Sequence, residues 1–139
     1  MLSPMIPDAT RFAPSPVKVL VAVGRPATRS ALRSLLDSEP GAQAIAEAGD
    51  LLTAIRTIRS ARPEVVLVDR AVLGEAGLER LPMLAAAAPG VAIFFVGMGD
   101  HPRFEAYARQ QGATGYVRLD EASQRLSSAL ALLASPPAA

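Results

Sequence analysis

Val65-Val66-Leu67-Val68-Asp69, introduced by Arg62-Pro63-Glu64, is the stretch that decides the fold. Its first four residues are apolar and three of them are β-branched, so the run reads as a strand buried on both faces. A carboxylate in the last position is thereby delivered to the carboxyl edge of a sheet. Open α/β folds keep their sites at that edge.

Working outward, strand and helix patterns alternate steadily. Val17 to Val23 reads as a strand and Gly24-Arg25 as a turn, with Pro26 near a first helical turn, where its missing N–H costs little. Ala31, Leu32, Leu35 and Leu36 make one stripe on a helix over 27–39 that Pro40-Gly41 stops. Ala42 to Ala48 is a weaker strand, and Asp50 caps a helix over 51–61 that Arg62-Pro63 breaks. Beyond Asp69 the pattern predicts a loop over 70–76 and a helix over roughly 77–88. A second doubly buried strand follows over 91–96, ending at Gly97, in which Phe94 and Phe95 place one ring on each face. Pro102 opens a helix to about Gln111, Thr114 to Arg118 forms a short strand, and Asp120 caps a last helix carrying Ala122, Leu126, Leu130 and Leu133.

Five strands alternating with five helices predict a doubly wound parallel sheet, flavodoxin-like, with strand order 2-1-3-4-5. Residues 1–16, with their prolines, are expected to be a disordered leader, 17–134 the domain, and 135–139 a tail or the start of a linker.

Composition narrows the function classes. At 139 residues the chain is one domain by size, and its net charge of +1 with scattered arginines provides no footprint for nucleic acid. The absence of cysteine removes thiol catalysis and zinc–thiolate sites. No apolar run approaches the ~20 residues that span a bilayer, and the cytoplasm is the expected location. His101 beside Asp100 has no second ligand cluster, so no metal site is expected there. Gly97-Met98-Gly99 lacks the remainder of a dinucleotide fingerprint, and no serine sits in a nucleophile elbow. The chain is not expected to be an enzyme.

Several cues stand in order along residues 17–134: Arg-Pro-Glu-Val-Val-Leu-Val-Asp at 62–69, Gly77-Leu78-Glu79, and Gly112-Ala113-Thr114-Gly115-Tyr116-Val117. With Pro26, Arg29, Leu32 and Glu47-Ala48, they make the chain similar to the receiver domain of bacterial two-component response regulators, closest to receivers of LuxR-type regulators. The resemblance implies that Asp69 is the phosphoacceptor position. It also implies magnesium-binding acids at the end of the first strand, where Val23 and Gly24 stand. A Ser or Thr is implied where the chain has Gly97, a lysine at Leu119, and a proline at Leu73. Arg118 is one residue early for the lysine, and strand alternation turns it the other way.

These departures suggest an atypical, degenerate receiver acting in phosphorelay signalling by protein contacts, independent of phosphorylation and without magnesium. Two alternatives stay open: a working phospho-receiver that uses Asp69 with a non-standard metal site, and a flavodoxin-like small-molecule binder or enzyme. Asp69 has a plainer reading as well, as an acceptor of backbone N–H bonds from the next loop. Arg25 is a candidate charge partner for Asp69. The face over 102–134, with Phe104, Tyr107, Tyr116 and Arg118, is the candidate interface for a protein partner or homodimer. The resemblance further implies a sensor kinase and a C-terminal effector domain beyond this chain.

Overall fold

Burial on both faces organises the central strands of the computed structural model, which describes residues 15–99 and 101–121. The leader up to residue 14, the expected last helix beyond Glu121 and the tail lie outside the described residues. The elements run β1 (Val17–Ala22), α1 (Pro26–Asp37), β2 (Ala42–Ala48), α2 (Leu51–Ala61), β3 (Val65–Val68) and a short helix α3 (Arg70–Leu73). A 3-10 turn over Gly77–Arg80 then leads into α4 (Leu81–Ala87), followed by β4 (Ala92–Gly97), α5 (Pro102–Gln110), β5 (Gly115–Arg118) and a 3-10 turn over Leu119–Glu121. The five strands form one parallel sheet in the order β2-β1-β3-β4-β5, as expected.

All four residues of β3 are buried, because helices cover both faces of the sheet. Leu20, Ala22, Val66, Val68, Ile93 and Phe95 pack on one side against α2, α3, α4 and α5. Val19, Val21, Val23, Val65, Leu67, Phe94, Val96 and Val117 pack on the other, with Leu32 and Leu36 of α1. Phe94 and Phe95 therefore do lie on opposite faces.

Helix ends follow local chemistry. Asp50 caps α2, its carboxylate accepting from the Thr53 N–H at 2.8 Å and from the Thr53 hydroxyl at 3.0 Å. Those two bonds, the backbone one first, hold the exposed Asp50 carboxyl below the usual carboxylate range. At the far end Arg62 takes φ 51°, a left-handed cap that glycine usually supplies. Pro63 accounts for the end of the helix, since its ring disfavours the right-handed α region for the preceding residue.

One expectation needs correction. The stretch after Asp69 is not a loop throughout, because Asp69 itself caps α3 over Arg70–Leu73. The weaker strand forms as expected as β2, with an irregularity at Ile45 where the register with β1 shifts.

Leu67 is fully buried in the central strand, whereas Leu52 on α2 is 57% exposed. Leu67→Ala is expected to lower the unfolding free energy by roughly 2–5 kcal/mol in urea titration, through the methylenes removed and the cavity left. Leu52→Ala is expected to stay within about 0.5 kcal/mol.

Candidate functional site

The carboxyl ends of β1, β3, β4 and β5 meet at one edge, and Asp69 stands at its centre, the one charged residue among the buried ones described. Its Oδ1 accepts two backbone N–H groups, from Val72 at 3.0 Å and from Gly24 at 3.0 Å. The first bond caps α3, and the second ties the turn after β1 to the end of β3. Asp69 thus has the plainer role, and it reaches both neighbouring segments. Among the described residues no buried side-chain oxygen lacks a partner, so Oδ2, which bonds no protein group, keeps contact with solvent.

The flanking positions offer nothing to help this oxygen hold a cation. Val23 is fully buried in the α1 side of the core. Gly24 faces Ala71 closely enough that a β-carbon added at 24 would stand 2.5 Å from the Ala71 Cβ and 3.3 Å from its carbonyl carbon. The site has therefore closed around the glycine, and the space for a side chain there is taken. Magnesium takes carboxylate, carbonyl and water oxygens in near-octahedral array. Among the described residues, no three His, Cys, Asp or Glu side chains gather anywhere.

Arg25 is exposed at the start of α1 and forms no ion pair with Asp69, so the candidate charge partner is not placed as one. Arg29, one helical turn on, is folded over the edge instead. Its Nη1 donates to the Val23 carbonyl at 2.8 Å, and its Nε lies 3.4 Å from Glu47 on β2. Glu47 also pairs with Arg33. The guanidinium packs so tightly against Gly49 that a β-carbon there would lie 2.8 Å from it. Arg29 was visible only as one element of the family pattern. Its structural task depends on a glycine twenty residues away, which spacing does not reveal.

Gly97 ends β4, and its missing side chain is filled by a neighbour. A β-carbon at 97 would stand 2.6 Å from the Tyr116 hydroxyl oxygen. That hydroxyl donates toward the carbonyls of Met98 and Gly99, each at 3.3 Å. The Tyr116 ring stacks on Phe95, centroids 6.1 Å apart at 11°, and meets the edge of Phe104 at 6.3 Å. Tyr116 and Phe104 are thus partly buried, packed against the core. Tyr107 remains outward, 40% exposed.

Arg118 pairs with Asp120 at 2.5 Å, and this bond holds the exposed Asp120 carboxyl below its usual range. Leu119 packs against the α1 side of the core. A depression of about 320 Å³ lined by Val17, Pro63, Glu64, Pro89 and Val91 lies at the opposite, amino end of the strands.

Asp69→Ala removes both backbone bonds and is expected to cost about 1–3 kcal/mol in urea unfolding. Asp69→Asn keeps an acceptor oxygen and is expected to cost under about 1 kcal/mol by the same cap ranking. Gly24→Asp forces an overlap with Ala71 and is expected to cost roughly 1–3 kcal/mol, part of it recovered on adding Ala71→Gly in a double-mutant cycle.

Comparison with known proteins agrees with this geometry. A family model described as the response regulator receiver domain matches residues 19–131. The nitrate/nitrite response regulator protein NarP of Escherichia coli (strain K12) is 29% identical over 125 residues, which cover 90% of this chain and 56% of NarP. The response regulator GacA of Pseudomonas aeruginosa is 28% identical over 101 residues, 73% of this chain and 47% of GacA. The chain thus spans about half the length of the curated relatives it matches. Among solved structures, a two-component response regulator of the LuxR family from Aurantimonas sp. SI85-9A1 superposes with a TM-score of 0.77 at 26% identity, covering 86% of each chain. With the family match, the strand order and the buried aspartate ending β3 all in accord, the chain belongs to the response regulator receiver domains, the signalling modules of two-component systems.

Proposed function

We propose that this receiver works through protein contacts set by its fold, without a phosphoryl group on Asp69. The observation that carries the reading is the closed contact between Gly24 and Ala71, where the family places an acid. An aspartate attacking a phosphoryl donor brings anions together, and a divalent ion neutralises them and orients the oxygens. Asp69 supplies one carboxylate, with one oxygen already engaged by two N–H groups, and Val23 and Gly24 add none. This donor set does not fit magnesium. Losing several kcal/mol of charge stabilisation slows a reaction by ~10³-fold or more.

The downstream part of a phospho-switch is also missing. Gly97 has no hydroxyl to meet a phosphoryl oxygen, and Leu119 has no ammonium. A ligand shifts an equilibrium only by its differential affinity for the two states, and a phosphoryl group here would find few contacts to differ.

In this proposal the contact face is the one that includes α5 and β5, and its partner is a second copy or another protein of the same pathway. α5 presents Tyr107 and the Glu105–Arg109 pair, a mixture of aromatic and charged groups suited to recognition. Because the curated relatives are about twice as long, a sensor kinase and an attached effector domain belong to the proposal too.

Treatment with acetyl phosphate and magnesium, read by intact mass and size-exclusion chromatography, tests the reading. The expected result is no phosphoryl adduct and an assembly state identical to that of Asp69→Asn. A magnesium-dependent adduct on Asp69 that alters assembly would overturn it.

A further inference from the structure

Helix α2 gathers cations that meet no acid among the described residues. Leu52, Arg56 and Arg59 stand at i, i+4 and i+7 on one stripe of the helix, and all three are exposed, as is Arg62 just past its end. Arg29 and Arg33 on α1, by contrast, share Glu47, and Arg109 on α5 pairs with Glu105. Among the described residues Arg56, Arg59 and Arg62 form no ion pair. The two acids that flank α2 are engaged elsewhere. Asp50 is bonded by Thr53, with Arg56 acting on it only through space, and Glu64 accepts the N–H of Lys18. α4 packs beside α2 and carries no charged side chain over Leu81–Ala87.

Apolar surface lies beside these charges. Leu52 is 57% exposed, and Met83 on α4 is 51% exposed. Ile55 on α2 and Ala87 on α4 are half-buried against the same core cluster and mark the seam between the two helices. Leu52 and Arg59 stand one turn to either side of Ile55. Met83 stands one turn before Ala87, on the side of α4 away from Ala85, which faces Gly112 beyond α5. Both helices start at the carboxyl edge of the sheet, so Leu52 and Met83 share that end of the seam while Arg59 and Arg62 lie toward the amino edge. We infer that the α2–α4 seam docks an acidic segment of another protein, with apolar residues of that segment on Leu52 and Met83 and its carboxylates along Arg56, Arg59 and Arg62. Charge complementarity selects this occupant. Nucleic acid calls for a broad basic footprint, whereas this chain has a net charge of +1 and an apolar end to the stripe. Exposed ion pairs add little affinity each, so the arginines steer and orient the segment and the apolar end supplies burial. The seam is separate from the α5–β5 face, and its use does not depend on the state of Asp69.

A short fluorescein-labelled peptide, two leucines followed by alternating glutamate and glycine, serves as the probe. Its fluorescence anisotropy is titrated with the full chain in low salt, beside the same peptide with glutamine in place of glutamate. The expected result is saturable binding of the glutamate peptide alone, weakened by added salt. Arg56→Gln with Arg59→Gln is expected to weaken it about tenfold or more through the loss of two charge contacts. Leu52→Ala with Met83→Ala is expected to weaken it severalfold, and both double variants keep the parent's thermal melt because all four side chains are exposed. Arg25→Gln with Arg70→Gln makes the same change in net charge at another edge and is expected to leave binding in place. Absence of saturable binding overturns the inference. An equal loss in both arginine pairs also overturns it, since the attraction would then belong to net charge alone. Tighter binding of a short DNA duplex or of phosphatidylglycerol vesicles through Arg56 and Arg59 overturns the acidic segment as occupant. Self-association of the chain that Arg56→Gln with Arg59→Gln abolishes does so too, by giving the seam to a second copy.

Discussion

A strand buried on both faces can carry a charged group only where it ends, and β3 obeys this constraint. Its last neighbour, Asp69, emerges at the carboxyl edge with one side against the core and the other toward water. The carboxylate is stabilised by backbone N–H groups from both adjacent turns, so the same oxygen that could do chemistry also joins the β1–α1 turn to α3. Everything else at the edge is arranged around that pair of bonds. Gly24 can donate its N–H only because it approaches Ala71 with no side chain between them.

The cation that ties the ends of β1 and β2 is Arg29, anchored by the Val23 carbonyl and Glu47, with Arg33 on the same carboxylate. These partly exposed pairs add little stability individually, and their geometric effect is the larger one. Across the sheet, the space left at Gly97 is filled by the Tyr116 hydroxyl. Small residues at 24 and 97 have thus let the surrounding structure close in, one against Ala71 and the other around an aromatic ring. Tight packing makes such filled positions costly to reopen, because interiors have few voids to absorb a new group.

Much of the architecture was legible in the sequence. The apolar runs 65–68 and 91–96, the Pro and Gly breakers, and Asp50 as a cap sufficed for the strand order and most element bounds. Less visible were details of side-chain and backbone geometry. The helical turn after Asp69 needs the Asp69 side chain folded back on Val72, and the Arg62-Pro63 break did not reveal that Arg62 takes a left-handed φ. The position of Asp69 could be read from the chain, as could the lack of acids at Val23 and Gly24. The companion of the edge could not. Arg25 was the nearer arginine in sequence, yet Arg29 is the one whose helical position turns it over the strand ends, beside Gly49. Likewise Phe104 and Tyr116 are partly buried aromatic residues, and the sequence does not show their shared contact with Phe95 or the opening over Gly97.

The most direct measurement is a backbone amide NMR titration with magnesium, then with beryllofluoride, an aspartyl-phosphate mimic. The resonances to follow are Gly24 and Val72, the two N–H groups that donate to Asp69 Oδ1. If this receiver signals without phosphorylation, both remain unmoved through the titration, as do Gly97 and Tyr116. Saturable shifts at Gly24 and Val72 that require magnesium and spread to Gly97 and Tyr116 would contradict it, showing that the edge still binds the ion and still transmits it.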